Sequence, residues 1–163
     1  MPDDELTVFY AWQSDSPSRD NRNFIESALE QAFKNLHKSG KVQSSPRLDK
    51  DTKDVPGIPD IANTILDKIR VADVFVADVT YVGTCPPKEG ESKLLPNPNV
   101  MLELGYALSE LGWERIALVI NTTTGSQDKL PFDLRNRRWP VAYQLAPGAA
   151  DIERAEEKKK LTK

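Results

Sequence analysis

Cysteine and histidine are nearly missing from this sequence: Cys85 and His37 stand alone among 163 residues. One cysteine excludes an internal disulfide framework and suits a reducing compartment. One of each excludes a Cys/His zinc site built from this chain alone. His37 falls near the end of a predicted helix, a place for surface exposure or for capping the last carbonyls. Glycine is missing where phosphate loops need it. The turn Trp12-Gln13-Ser14-Asp15-Ser16 has none, which excludes a P-loop or a dinucleotide fingerprint, since both wrap backbone amides around an anion. No run approaches the roughly 20 apolar residues that cross a bilayer. Charge of one sign is not in excess either: a net −3 provides no basic field, so no direct nucleic-acid partner is expected. The opening Met-Pro-Asp-Asp-Glu is acidic where a signal peptide would be basic and then apolar, so a cytoplasmic protein without a membrane partner is expected. Chemistry is left to carboxylates, amides, hydroxyls and arginines, with no metal expected.

What is present alternates between strand-like and helix-like segments. "LTVFYAW" (6–12) is β-branched and aromatic. Between Asn21 and His37, Phe24, Ile25, Ala28, Leu29, Ala32, Phe33 and Leu36 recur at three- and four-residue spacings, one face of an amphipathic helix. "KVQSSPRLDKDTKDVPGIP" reads as a poor short strand and a long polar loop. Pro59 suits the first position of a helix whose inner face carries Ile61, Ile65 and Ile69. "ADVFVADV" (72–79) suits a strand buried on both faces. "TYVGTCPPKEGESKLLP" reads as a loop, "RIALVIN" (115–121) as a strand and "VAYQL" as the last one. The pattern predicts an α/β fold with an open, mostly parallel five-stranded sheet and flanking helices, occupying residues 1–147. Residues 148–163 are expected to be an exposed charged helical tail, or a linker toward a further domain. In such sheets ligands sit outside the carboxyl ends of the strands, which points to 12–20, 47–60, 78–97 and 121–138.

Those segments hold several candidates. The turn 12–16 suits a sugar hydroxyl or a stacked base, and equally suits plain turn chemistry and helix capping. Asp78 ends the third strong strand, but the acidic pair and the lysine of a phosphate-accepting receiver are missing. Arg135, Arg137 and Arg138 could hold phosphate bidentately, or serve a salt-bridge cluster or an oligomer contact. Asp49, Asp51 and Asp54 alternate with lysines, which argues against a metal cage and for a loop bordering a cleft. In "NPNVMLELGYALSELG" (97–112), Asn97 is a natural N-cap and Pro98 a first helical residue. Val100, Met101, Leu104, Ala107, Leu108 and Leu111 fill one arc, and Glu103 falls just outside it. That leaves a solvated surface glutamate, or an acid at a cleft whose pKa rises with desolvation.

Several segments together resemble a known family. "VFYAWQSD…NRNFIESAL", "LDKDT", "IPDIANTILDKIRVADVFVADVT", "NPNVMLELGYAL" and "LPFDLRNRRW" are similar to a bacterial TIR-like domain of the nucleotide-binding branch found in antiphage defence. The likeness covers about residues 6–145. The Trp-Cys that precedes the key glutamate in many eukaryotic-type TIR domains is missing. Nucleoside 2-deoxyribosyltransferases are similar in the "ADVFVADVT" strand and in the E-x-G-x-A pattern of the "NPNVMLELGYAL" helix.

The TIR resemblance implies a flavodoxin-like sheet and cleavage of the nicotinamide–ribose bond of NAD⁺, as a glycohydrolase or ADP-ribosyl cyclase. NAD⁺ is then the substrate and no cofactor is implied. Glu103 matches the essential glutamate of the family. Trp12 or Tyr106 would stack on a ring, Gln13, Ser14 and Asp15 would reach the ribose, and Arg135 or Arg138 the pyrophosphate. Asp49, Asp78, Asn97 and Asn99 complete the implied substrate contacts. Self-association through TIR–TIR contacts, with an activating sensor domain or protein, is implied as well. The alternatives are a nucleoside 2-deoxyribosyltransferase-like enzyme, and a non-catalytic nucleotide-binding or TIR-interaction module.

Overall fold

The computed structural model describes residues 5–51, 60–137 and 139–162. Strands form where β-branched and aromatic residues cluster: β1 (Thr7–Ala11), β3 (Val74–Asp78) and β6 (Ile116–Asn121) are the three long central ones. Two short strands, β2 (Arg47–Asp49) and β7 (Val141–Tyr143), border them. The sheet runs β2-β1-β3-β6-β7 and every pairing is parallel. Counting only its own strands, that order is 2-1-3-4-5, the flavodoxin-like doubly wound arrangement.

Alternation along the strands splits the core in two. Phe9, Ala11, Phe75, Ala77, Leu118 and Ile120 face one side, packed by α2 (Ile61–Val71) and α3 (Pro98–Leu111). Phe9 and Phe75, opposite each other in the register, stack with ring centroids 5.9 Å apart. Val8, Tyr10, Val76 and Val119 face the other side, against Phe24, Ile25 and Phe33 of α1 (Arg22–Lys38). The α3 helix starts as its sequence dictates: the Asn97 carboxamide accepts from the Asn99 and Val100 amides at 2.9 and 3.1 Å, with Pro98 following. It stops at Gly112, whose φ of 73° ends the helix in the left-handed region.

Four elements depart from expectation. Asp60, not a residue before Pro59, caps α2 by accepting from the Asn63 amide at 3.2 Å, so the helix begins at Ile61. Pro59 itself lies outside the described residues. Ile61, the first helical residue, is 64% exposed and leaves the inner face to Ile65 and Ile69. The expected loop after β3 contains a hairpin, β4 (Tyr81–Cys85) against β5 (Lys93–Pro96). Its strand signal is short and separated by a proline- and charge-rich stretch, too long for a tight-turn signature.

The charged C-terminal residues do form a helix, α5 (Asp151–Leu161), but it docks on the domain rather than standing free. The Arg154 guanidinium reaches Asp20 at 2.6 Å, the Lys158 ammonium reaches the Ser27 hydroxyl at 2.6 Å, and Leu161 packs on the second core. The described residues between β6 and β7 hold two 3-10 turns, Thr122–Thr124 and Gln127–Lys129, and a four-residue helix, α4 (Phe132–Arg135). Among the described residues, no helix is long and apolar enough to cross a membrane.

Candidate active site

A cleft of about 180 Å³ opens at the carboxyl end of β1, the place the fold reserves for ligands. The turn after β1, the residue Asp51 beyond β2, Ile65 of α2, and Asn97, Asn99 and Glu103 at the start of α3 line it.

The β1–α1 turn is shaped by a side chain in place of glycine. Gln13, 2% exposed, accepts from the Asp15 and Ser16 amides at 2.6 and 3.0 Å through Oε1. Its Nε2 donates to the Ser16 hydroxyl at 2.8 Å. Gln13 therefore lines the cleft with its polar atoms already engaged in building the turn. Asp15 accepts from the Asn97 Nδ2 at 2.6 Å, which ties the turn to the N-terminus of α3. Asn97 thus uses one amide oxygen to cap α3 and the amide nitrogen to hold the opposite wall. Ser14 and Asn99 are exposed on the rim.

Trp12 connects two walls. Its indole N–H donates to Asp51 Oδ2 at 3.2 Å, and the Arg22 guanidinium lies 4.2 Å from the ring centroid. Asp51 has φ of 45°, the one positive value among described non-glycine residues. Asp tolerates that left-handed conformation better than most side chains. Strained backbone of this kind, costing of order 1–3 kcal/mol, gathers at functional sites.

Glu103 sits in the second turn of α3, half-buried on the cleft wall. Burial, and secondarily the negative charge of Asp51, push its carboxyl from an ordinary 4.5 up to about 7. Among the described residues no hydrogen bond reaches this carboxylate, in contrast to the other buried acids. The α3 position predicted from the helical arc, just outside the apolar face, gives it this half-desolvated setting: Val100, Leu104 and Ala107 beside it are fully buried.

The structure places the other sequence-predicted residues apart from the cleft. Asp78 is 0% exposed, accepts from the Thr80 amide at 3.1 Å and from Asn21, and its pKa is raised by burial. It is a structural acid of the α1 side, because the alternation of β3 turns it away from Glu103. Asp49, 5% exposed, pairs with Lys68 at 2.7 Å, and Arg47 lies 3.7 Å away. Tyr106 is half-buried against the core cluster that α3 covers and is not among the described residues that line the cleft. Arg135 borders a separate groove beside Phe132 and Leu94. Arg138 lies outside the described residues.

Two contributors escaped the sequence reading. In the sequence Asp51 is one acid of an acid- and lysine-rich loop, and the signal that sets it apart is its place two residues past the carboxyl end of β2, which stops at Asp49. Arg22 appeared only as a helix residue, and nothing in the sequence signals its contact with Trp12. Among the described residues no group of three or more His, Cys, Asp or Glu side chains could hold a metal ion.

No protein-family model matches the chain, and no curated protein matches it. Among solved structures the chain is similar to a 2-desoxiribosyltransferase from Leishmania mexicana, with 20% identity and a TM-score of 0.38. That alignment covers 71% of this chain and 65% of the transferase, so the chain spans less than two thirds of its length.

Proposed function

We propose that the protein cleaves the N-glycosidic bond between a ribosyl sugar and a nitrogenous base, passing the sugar to a second base or to water. The observation that supports this reading is Glu103: a carboxylate on a cleft wall, half desolvated, beside a second carboxylate and an indole. Glycosyl cleavage passes through an oxocarbenium-like sugar, and a carboxylate at the anomeric carbon stabilises that cation or captures it. In the capture step a Glu103 oxygen bonds to C1′ as the C1′–N bond breaks, and the electron pair leaves on the base nitrogen. A neutral base takes up a proton from water in the open cleft; a pyridinium leaves neutral and needs none. The nitrogen of a second base, or water, then attacks C1′, releases the carboxylate and gives its proton to the solvent, replacing the one drawn by a neutral leaving base. Trp12 stacks the base, and Ser14 and Asn99, exposed on the rim, hold the sugar edge.

The leading substrate is a nucleoside, which makes the chain a nucleoside 2-deoxyribosyltransferase-like enzyme. The cleft is small, and its described lining contains Asp51 and Glu103 but no lysine or arginine. Such a lining suits an uncharged sugar–base pair better than a pyrophosphate. The second reading, NAD⁺ glycohydrolase or cyclase chemistry, uses the same carboxylate. The segment likeness to TIR-like domains favours it, and so does the fit of a cationic nicotinamide beside two carboxylates and an indole.

Incubation with a deoxynucleoside and a different free base, followed by chromatography, separates the two. A new deoxynucleoside is expected; release of nicotinamide from NAD⁺ with no base exchange would move the assignment to the second reading. Undiminished turnover of either substrate by Glu103→Ala would contradict both.

A further inference from the structure

The docking of α5 reaches further than its own packing. Arg154 donates through Nη2 to Asp20 at 2.6 Å and through Nη1 to the Arg19 carbonyl at 2.8 Å. Asp20 is 5% exposed, and its second oxygen accepts from the Gly148 amide at 3.4 Å. These contacts grip the last turn before α1, and α1 begins two residues later with Arg22. The Arg22 guanidinium covers the Trp12 ring at 4.2 Å, and Trp12 donates to Asp51 at 3.2 Å. Asp51 in turn acts on Glu103 through its charge. As far as Asp51 every link is a contact between named groups, apart from the two residues of backbone between Asp20 and Arg22; Glu103 shares the cleft wall with Asp51. The Arg154–Asp20 pair is shielded, at 17% and 7% side-chain exposure. Solvent screens it far less than the exposed Arg19–Asp151 pair, at 66% and 91%, and removing one partner leaves the other charge buried and unpaired.

We propose that Arg154 is a positioning residue of the cleft, fixing the start of α1 so that Arg22 holds Trp12 against Asp51. It touches no ligand and acts through the turn at Arg19–Asp20. Its consequence for turnover rests on the function proposed above; its consequence for Trp12 does not.

The test uses a background in which Trp113→Phe and Trp139→Phe leave Trp12 as the single indole, with Arg154→Met and Arg154→Lys compared in it. Arg154→Met is expected to shift Trp12 emission to the red and raise its quenching by iodide. In the native-tryptophan chain the same change is expected to raise KM about tenfold while kcat moves little. Arg154→Lys, which keeps the charge, recovers part of both effects. Should Arg154→Met fail to fold, Asp20→Asn removes the same pair while keeping side-chain volume, and is read in the same way. Unchanged Trp12 emission and quenching in a folded variant overturns the proposal, even if the melting temperature falls. An altered Trp12 signal in a protein that cleaves no nucleoside upholds the positioning role and removes only the function it was thought to serve.

Discussion

Two acids occupy the ligand-bearing end of the same sheet, and burial raises the pKa of both. Asp78, at the end of β3, is sealed on the α1 side, where Asn21 and the Thr80 amide donate to it. Asn21 in turn accepts from the Tyr143 hydroxyl at 2.7 Å, so the acid anchors a buried network that joins β3, α1 and β7. Glu103, across the sheet, has an open cleft before it and no donor to satisfy it among the described residues. Desolvation acts on both, but the surroundings of Asp78 compensate for it and those of Glu103 do not. A perturbed pKa marks chemistry only where the perturbed group faces a space that a substrate can enter.

That contrast has its largest expected expression in turnover. Glu103→Gln lowers kcat/KM for base exchange by about 10³-fold or more, whereas Asp78→Asn, measured on folded protein, leaves it within the same order of magnitude. Steady-state assays of the two purified variants side by side check this, and equal losses would erase the distinction.

Stability reverses the ranking. Asp78→Ala strands the Thr80 amide and the Asn21 carboxamide in the interior, a loss of about 3 kcal/mol to be read from denaturant unfolding. Glu103→Gln has the opposite sign. The folded-state pKa of Glu103, about 7, lies above its ordinary 4.5. Between those values the folded protein keeps a proton that the unfolded chain releases, so stability falls as pH rises through the window. Removing the charge therefore stabilises the protein fully above pH 7 and not at all below about 4.5. Allowing for partial exposure, the gain is about 2 kcal/mol, or about 5 °C in melting temperature. Thermal scans at pH 8 and pH 4 are expected to differ in this way, and a gain of equal size at both would assign it to packing instead.

The fold was legible because its signals are redundant. "VFVAD" and "IALVIN" are continuous β-branched runs, and Asn97-Pro98 with Gly112 marks both ends of α3. Glu103 was legible from the helical arc, since an acid at the edge of an apolar stripe must be either solvated or half-buried. Its partners were not. Asp78 and Asp49 carry the right chemistry at the right end of the sheet, but strand alternation and a nearby lysine decide where each one faces. Asp51 depends on a left-handed backbone turn, and the Arg22–Trp12 contact joins the end of one element to the start of another across a nine-residue turn. The docking of α5 hid for a similar reason: nearly all of its contacts are made by charged side chains, which read as solvated until their partners are placed.

The most direct measurement is a carbon-13 NMR titration of the glutamate carboxyl groups, with Glu103 assigned by its absence in Glu103→Gln. A midpoint near 7 is expected, moving downward in Asp51→Asn as the neighbouring negative charge is removed. A midpoint at the ordinary 4.5, unmoved by Asp51→Asn, would contradict the claim that the cleft sets this carboxylate apart.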